Sequence, residues 1–198
     1  MAADRRDRRE DGRPEQARPR DRTGRPLPYG TRGVPLTEEH EPGDVEEALA
    51  VGIRLWDEQR FFEAHECLEH VWHAAPLEDT RLWQGVIQLA VAGVHLQRGN
   101  PTGARTLLAR VEERLVEYPA EHRGVDVAGA LATSRRLAAQ LTTGSLPAAE
   151  EVGTFPHGRG GAWFARSAED TGPAATPTPL PDGPRWLAEG QVRSPMSR

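Results

Sequence analysis

The run LWQGVIQLAVAGVHLQ, residues 82–97, is apolar on nearly every side of a helix. Leu82, Val86, Ile87, Leu89, Ala90, Val91, Val94 and Leu96 wrap around the axis instead of forming one stripe. A helix at the surface of a domain shows a single apolar face. This one, expected from Arg81 to about Arg98, belongs in the middle of a bundle or at a subunit interface. Gly85 and Gly93, with Ala90 and Ala92, permit close backbone contact. The chain must surround this segment with other helices.

The stretch before it, FFEAHECLEHVW (residues 61–72), is the most chemically dense part of the chain. Phe61, His65, Leu68 and Trp72 recur at steps of four, three and four, which makes one helical stripe. Phe62, Glu66, Glu69 and His73 form the next stripe. His65 thus shares a face with large apolar residues, and carboxylates border it.

Composition sets the limits. The 198 residues suit one domain with tails. The 17 prolines and 20 glycines are unevenly spread, so the folded part is shorter than the chain. A net charge of −5 gives no general case for nucleic-acid binding. All 25 basic residues are arginine, so no lysine is present to form a Schiff base. The one cysteine, Cys67, excludes an internal disulfide and a multi-cysteine zinc site, suits a cytoplasmic protein, and reads as inert core filling. No apolar run is long enough for a membrane span, and MAADRRDRRE does not read as a signal peptide.

The expected architecture is all-α: a compact bundle of about five helices with irregular, disordered N- and C-terminal segments. Residues 1–40 read as a charged tail, 41–143 as the helical domain and 144–198 as a Gly/Pro-rich irregular tail. The first helix starts near Pro42 to Asp44, where Asp44 and Glu47 make a capping box. Its buried side carries Val45, Leu49, Gly52 or Ile53, and Trp56. The second helix ends near Ala75, before Pro76. Asp79 or Thr80 caps the third. Gly99 ends the third helix, Asn100 caps the fourth, and Pro101 takes its first position. Leu107, Leu108, Val111 and Leu115 face inward. A fifth helix spans Val125 to Leu141. From Thr142 onward periodicity is lost, with Phe155, Trp163, Phe164 and Trp186 as possible anchors on the domain.

Helices two and three are joined by a short loop and should be antiparallel neighbours. Gln84, Gln88 and His95 share one face of helix three. With His65, Glu66 and Glu69 they make a polar core cluster in apolar surroundings, and such groups are costly to bury unbonded. Phe61, Trp72, Trp83, Gly85 and Asn100 read as structural. Two readings of the cluster stay open. One is a hydrogen-bond network that fixes helix packing in a structural or protein-interaction module. The other is a metal-dependent hydrolase or small-molecule site, with His65, Glu69 and His95 as candidate ligands of a divalent metal and Glu66, Glu69 or His65 as candidate catalytic groups. AHECLEH is not the zincin pattern, because His65 and His70 are five apart.

Three motifs in order carry a resemblance. They are FFEAHECLEHVW, Gln84-Gly85-Val86-Ile87, and Gly99-Asn100 through Gly103-Ala104. Residues 44 to about 120 resemble domain-of-unknown-function family 309, a small all-helical domain found mostly in bacteria and archaea. Position 70 is His where that pattern has an acid or other polar residue. The resemblance implies the fold and marks His65, Glu66, Glu69, Trp72, Gln84, Gly85 and His95. It implies no reaction. The expected partner is a second copy or another protein, with no strong nucleic-acid signal and no membrane.

Overall fold

The computed structural model describes residues 19–33 and 45–159. Five helices run in chain order: α1 (Val45–Asp57), α2 (Phe61–Ala74), α3 (Thr80–Gln97), α4 (Pro101–Leu115) and α5 (Val127–Thr142). A two-residue antiparallel pair, β1 (Glu121–His122) and β2 (Val125–Asp126), precedes α5. None of the described helices is long and apolar enough to cross a membrane. Asp44, expected to cap the first helix, and Trp163, Phe164 and Trp186 lie outside the described residues.

Of the two placements open to α3, the structure shows the middle of the bundle. Fourteen of its residues are buried, and α2 and α4 flank it. Its glycines work as contact points. A Cβ at Gly85 would lie 2.5 Å from Leu115, and one at Gly93 would lie 2.7 Å from the Phe61 ring. Trp56, Phe61 and Phe155 form the aromatic part of the core, with ring centroids 5.7 Å and 5.4 Å from Trp56.

The bend between α1 and α2 has a backbone cause. Gln59 adopts a left-handed conformation (φ 60°), and the Gln59 and Arg60 N–H groups return to the carbonyls of Trp56 and Leu55. Those bonds end α1 and turn the chain back, so Gly52 packs on Cys67 and Leu68 of α2. The pair is antiparallel.

One helix bound differs from the expected one, and two flanking segments make contacts with the bundle. The fifth helix starts at Val127, because Val125 and Asp126 pair with β1 and the Asp126 carboxylate accepts from Gly129 N at 2.8 Å. The irregular segment after α5 is anchored on the bundle by Phe155, as expected. A 3-10 turn at Ala149–Val152 packs on the bundle, Trp56 Nε1 donates to Gly153 O at 3.0 Å, and Phe155 N donates to Asp57 at 2.8 Å. Residues 19–33, inside the expected N-terminal tail, also pack on the domain. Gly24 sits on the Phe62 ring, and Arg98 donates to Thr23 O at 2.9 Å. Side chain-to-backbone bonds hold both segments, and such bonds leave no hydrophobic period.

Candidate functional site

The helix ends position the first group of site residues. α3 ends in paired bonds, Asn100 N to His95 O (2.8 Å) and Gly99 N to Leu96 O (2.9 Å), with Gly99 at φ +64°. The Asn100 side chain then caps α4 by accepting from Gly103 N at 2.9 Å. Its amide nitrogen lies 2.9 Å from His95 Nδ1. An amide NH2 only donates, so His95 Nδ1 accepts and the proton of the neutral ring sits on Nε2. Burial, followed by the Arg98 charge, lowers the His95 pKa. A side chain at Gly103 would collide with the imidazole. The Gly-Asn-x-x-Gly motif is thus a corner built around His95.

His65 is also committed. Its Nδ1 donates to the Phe62 carbonyl one turn back, and the ring is 2 % exposed. Burial lowers its pKa to about 4, with Arg98 and Arg20 adding to the effect. Each histidine therefore keeps only Nε2 for any ligand. Among the described residues, no three His, Cys, Asp or Glu side chains come together in a group that could hold a metal ion.

The carboxylates differ in setting. Glu66 and Gln84 are half-buried. Glu69 has a buried Oε1 with no hydrogen-bond partner, and burial, then the Glu66 charge, pushes its pKa up to about 7. Trp72 Nε1, one turn further along α2, is a buried donor with no partner. Gln88 is 3 % exposed, and its Oε1 is likewise unpartnered. Glu69 and Gln88 lie on α2 and α3, which pack against each other. The other two buried unpartnered atoms, Arg114 Nε and Gln140 Oε1, belong to side chains that bond through another atom.

Of the expected structural group, Phe61, Trp83 and Gly85 are core residues, and Asn100 is the cap. Trp72 is only half-buried, and its indole leans on His73 at 4.7 Å. Cys67 is buried, and its thiol pKa is pushed up to about 11, first by burial and then by Glu66 and Glu63. Ser134 donates to Leu108 O at 3.0 Å inside the core.

Two buried acids escaped the sequence reading. Glu63 accepts on both carboxylate oxygens from one edge of the Arg60 guanidinium, Nε and Nη2. Asp79 holds the N-cap position of α3 but caps nothing. Its carboxylate instead accepts from His122 Nε2 at 2.7 Å and Arg123 Nε at 2.6 Å. Thr80 does not cap either, since its hydroxyl donates to Pro76 O. The left-handed backbone of Arg123 (φ 46°) was the one local oddity in the turn, and it is invisible in the sequence.

Comparison with known proteins agrees with the motif reading. The uncharacterised protein YpuF of Bacillus subtilis (strain 168) is similar, with 44% identity over 70 residues, covering 35% of this chain and 38% of that protein. The match thus spans well under half of that relative. Residues 49–107 match the family described as "Domain of unknown function (DUF309)", from within α1 to the middle of α4. The matched stretch takes in the α2 and α3 site side chains.

Proposed function

We propose that this chain is a cytoplasmic helical binding module that takes a small polar molecule through Glu69, Trp72 and Gln88. The supporting observation is the set of three buried polar atoms without partners: Glu69 Oε1, Trp72 Nε1 and Gln88 Oε1. A buried polar atom left unbonded costs about 1–3 kcal/mol. Folded proteins keep few of them, and sites that serve binding are where such costs persist. The chemistry of the three atoms describes the complement. Two oxygens ask for N–H or O–H donors, and the indole N–H asks for an acceptor. A compact amide or amine with one acceptor oxygen fits. The raised pKa of Glu69 favours a neutral or cationic ligand over an anion.

The metal-dependent hydrolase alternative draws less support, because His65 and His95 each hold Nδ1 within their own helix or helix corner. A structural role is favoured by one specific observation, the His95–Asn100–Gly103 corner. That corner stabilises the scaffold and does not involve the three unpartnered atoms.

The test is titration of the full chain with glycinamide, following the Trp72 indole N–H by NMR, in the native protein and in Gln88→Leu. Saturable displacement of that signal, lost in Gln88→Leu, supports the reading. An unmoved indole signal, or identical responses in both proteins, counts against it.

A further inference from the structure

A second region of the surface, separate from the residues above, gathers positive charge in an acidic protein. It lies where segment 19–33 crosses the end of α3. Arg98 donates through Nε and Nη2 to Thr23 O. Arg25 Nη2 donates to Arg98 O at 2.7 Å. Arg20 Nη1 donates to Gly24 O, with its guanidinium 5.6 Å from the Phe62 ring centre. All three guanidiniums are held by backbone carbonyls, and none has a carboxylate in ion-pair contact among the described residues. Among the described residues the nearby acid is Asp21, which spends Oδ1 on Thr23 N, Thr23 Oγ1 and Arg25 N.

This arrangement is unbalanced. Arg98 is half-buried, and partly buried charges are ordinarily paired. Its pKa is lowered, first by burial and then by Arg25, with Arg20 adding to this and Asp21 opposing. His65 and His95 feel the same positive field. The three side chains remain half-buried or exposed, so their free N–H groups are within reach of solvent. A guanidinium has five donors, and each of these uses only one or two of them.

We propose that Arg20, Arg25 and Arg98 form a binding site for a small oxyanion, specifically a phosphate group. Carbonyls hold the guanidiniums in the free protein, and a doubly charged tetrahedral anion supplies a counter-charge that no described carboxylate gives them in ion-pair contact. Arginine favours that geometry because its paired N–H groups match phosphate oxygens.

The experiment is calorimetric titration of the full chain with inorganic phosphate at fixed ionic strength, with sodium chloride and malonate as parallel arms. Arg25→Gln is the principal variant, because its exposed side chain leaves the Arg98–Thr23 bond in place. Arg98→Gln is the second, and Arg54→Gln on the exposed side of α1 is the control. Saturable phosphate binding is expected, weakened about tenfold or more in Arg25→Gln and unchanged in Arg54→Gln. The His65 and His95 ring signals should shift on binding in the native protein. A phosphate response no larger than that of chloride overturns the site. So does phosphate binding that is unaffected by Arg25→Gln. Malonate binding as tight as phosphate overturns the assignment to a phosphate group. If Arg98→Gln fails to fold, Arg25→Gln decides the matter alone.

Discussion

The Asn100 amide nitrogen lies 2.9 Å from His95 Nδ1 while the same side chain caps α4 through Gly103 N. One asparagine therefore joins a helix end to a buried imidazole, and its two functions are separable by mutation. Asn100→Ala loses both and should cost about 1–3 kcal/mol, the sum of a cap and an orphaned ring nitrogen. Asn100→Asp keeps the cap but offers only acceptors, so His95 must turn its proton to Nδ1 and its pKa should rise. Chemical denaturation measures the first effect, and NMR titration of His95 measures the second. An unchanged His95 pKa in Asn100→Asp would break the link.

Gly103→Ala tests the same corner from the other side. Alanine is the better helix former by about 1 kcal/mol. The new methyl would nevertheless press on the His95 ring and the Asn100 amide. The expected outcome is net destabilisation, read as a lower denaturant midpoint. A gain in stability would show that the corner is open.

This corner shows what was legible in the sequence. Gly99, Asn100 and Pro101 carry local signals, because a positive φ, a cap and a fixed first-turn φ are properties of single residues. The all-round apolar character of α3 likewise demanded cover on every side, in the bundle or at a subunit interface, and the structure shows the first. The roles of Asp79, His122 and Arg123 were not legible. Their contact spans more than forty positions and depends on a two-residue hairpin with no periodic pattern. The candidate site was half legible. Periodicity marked Glu69 and Gln88 as polar groups in apolar surroundings, but not that His65 and His95 would be satisfied locally while Glu69, Trp72 and Gln88 would not.

Arg123 pays for its position with a left-handed backbone that asparagine or glycine adopts more easily. Arg123→Asn should relieve that strain yet leave buried Asp79 with one partner. A net loss of about 1–3 kcal/mol is expected. Adding Asp79→Asn should restore part of it, so the double-mutant cycle should show coupling of at least about 0.5 kcal/mol. Additive effects would show that the two side chains do not depend on each other.

Stability against pH separates two buried groups of opposite sign. Glu69 has a folded pKa of about 7 against an ordinary 4.5. The folded state thus holds its proton more tightly, and stability falls as pH rises from about 4.5 to 7. His65 has a folded pKa of about 4 against 6.5. Here the unfolded state holds the proton more tightly, so stability falls as pH drops from about 6.5 to 4. Glu69→Gln should remove the first loss and keep the second, raising stability at pH 7 by roughly 1–3 kcal/mol relative to the native protein. Denaturant melts across that range give the curves. A Glu69→Gln profile parallel to the native one would mean that Glu69 titrates normally.

The most direct test of a site kept for binding is the unfolding free energy of the Trp72→Phe/Gln88→Leu double variant at pH 7. Both changes remove a buried polar atom that has no partner; leucine nearly matches glutamine in size, and phenylalanine keeps an aromatic ring smaller than the indole. The binding account predicts a variant more stable than the native protein by about 1–2 kcal/mol that no longer responds to glycinamide. A variant less stable than the native protein would contradict it, because the two atoms would then be bonded parts of the scaffold.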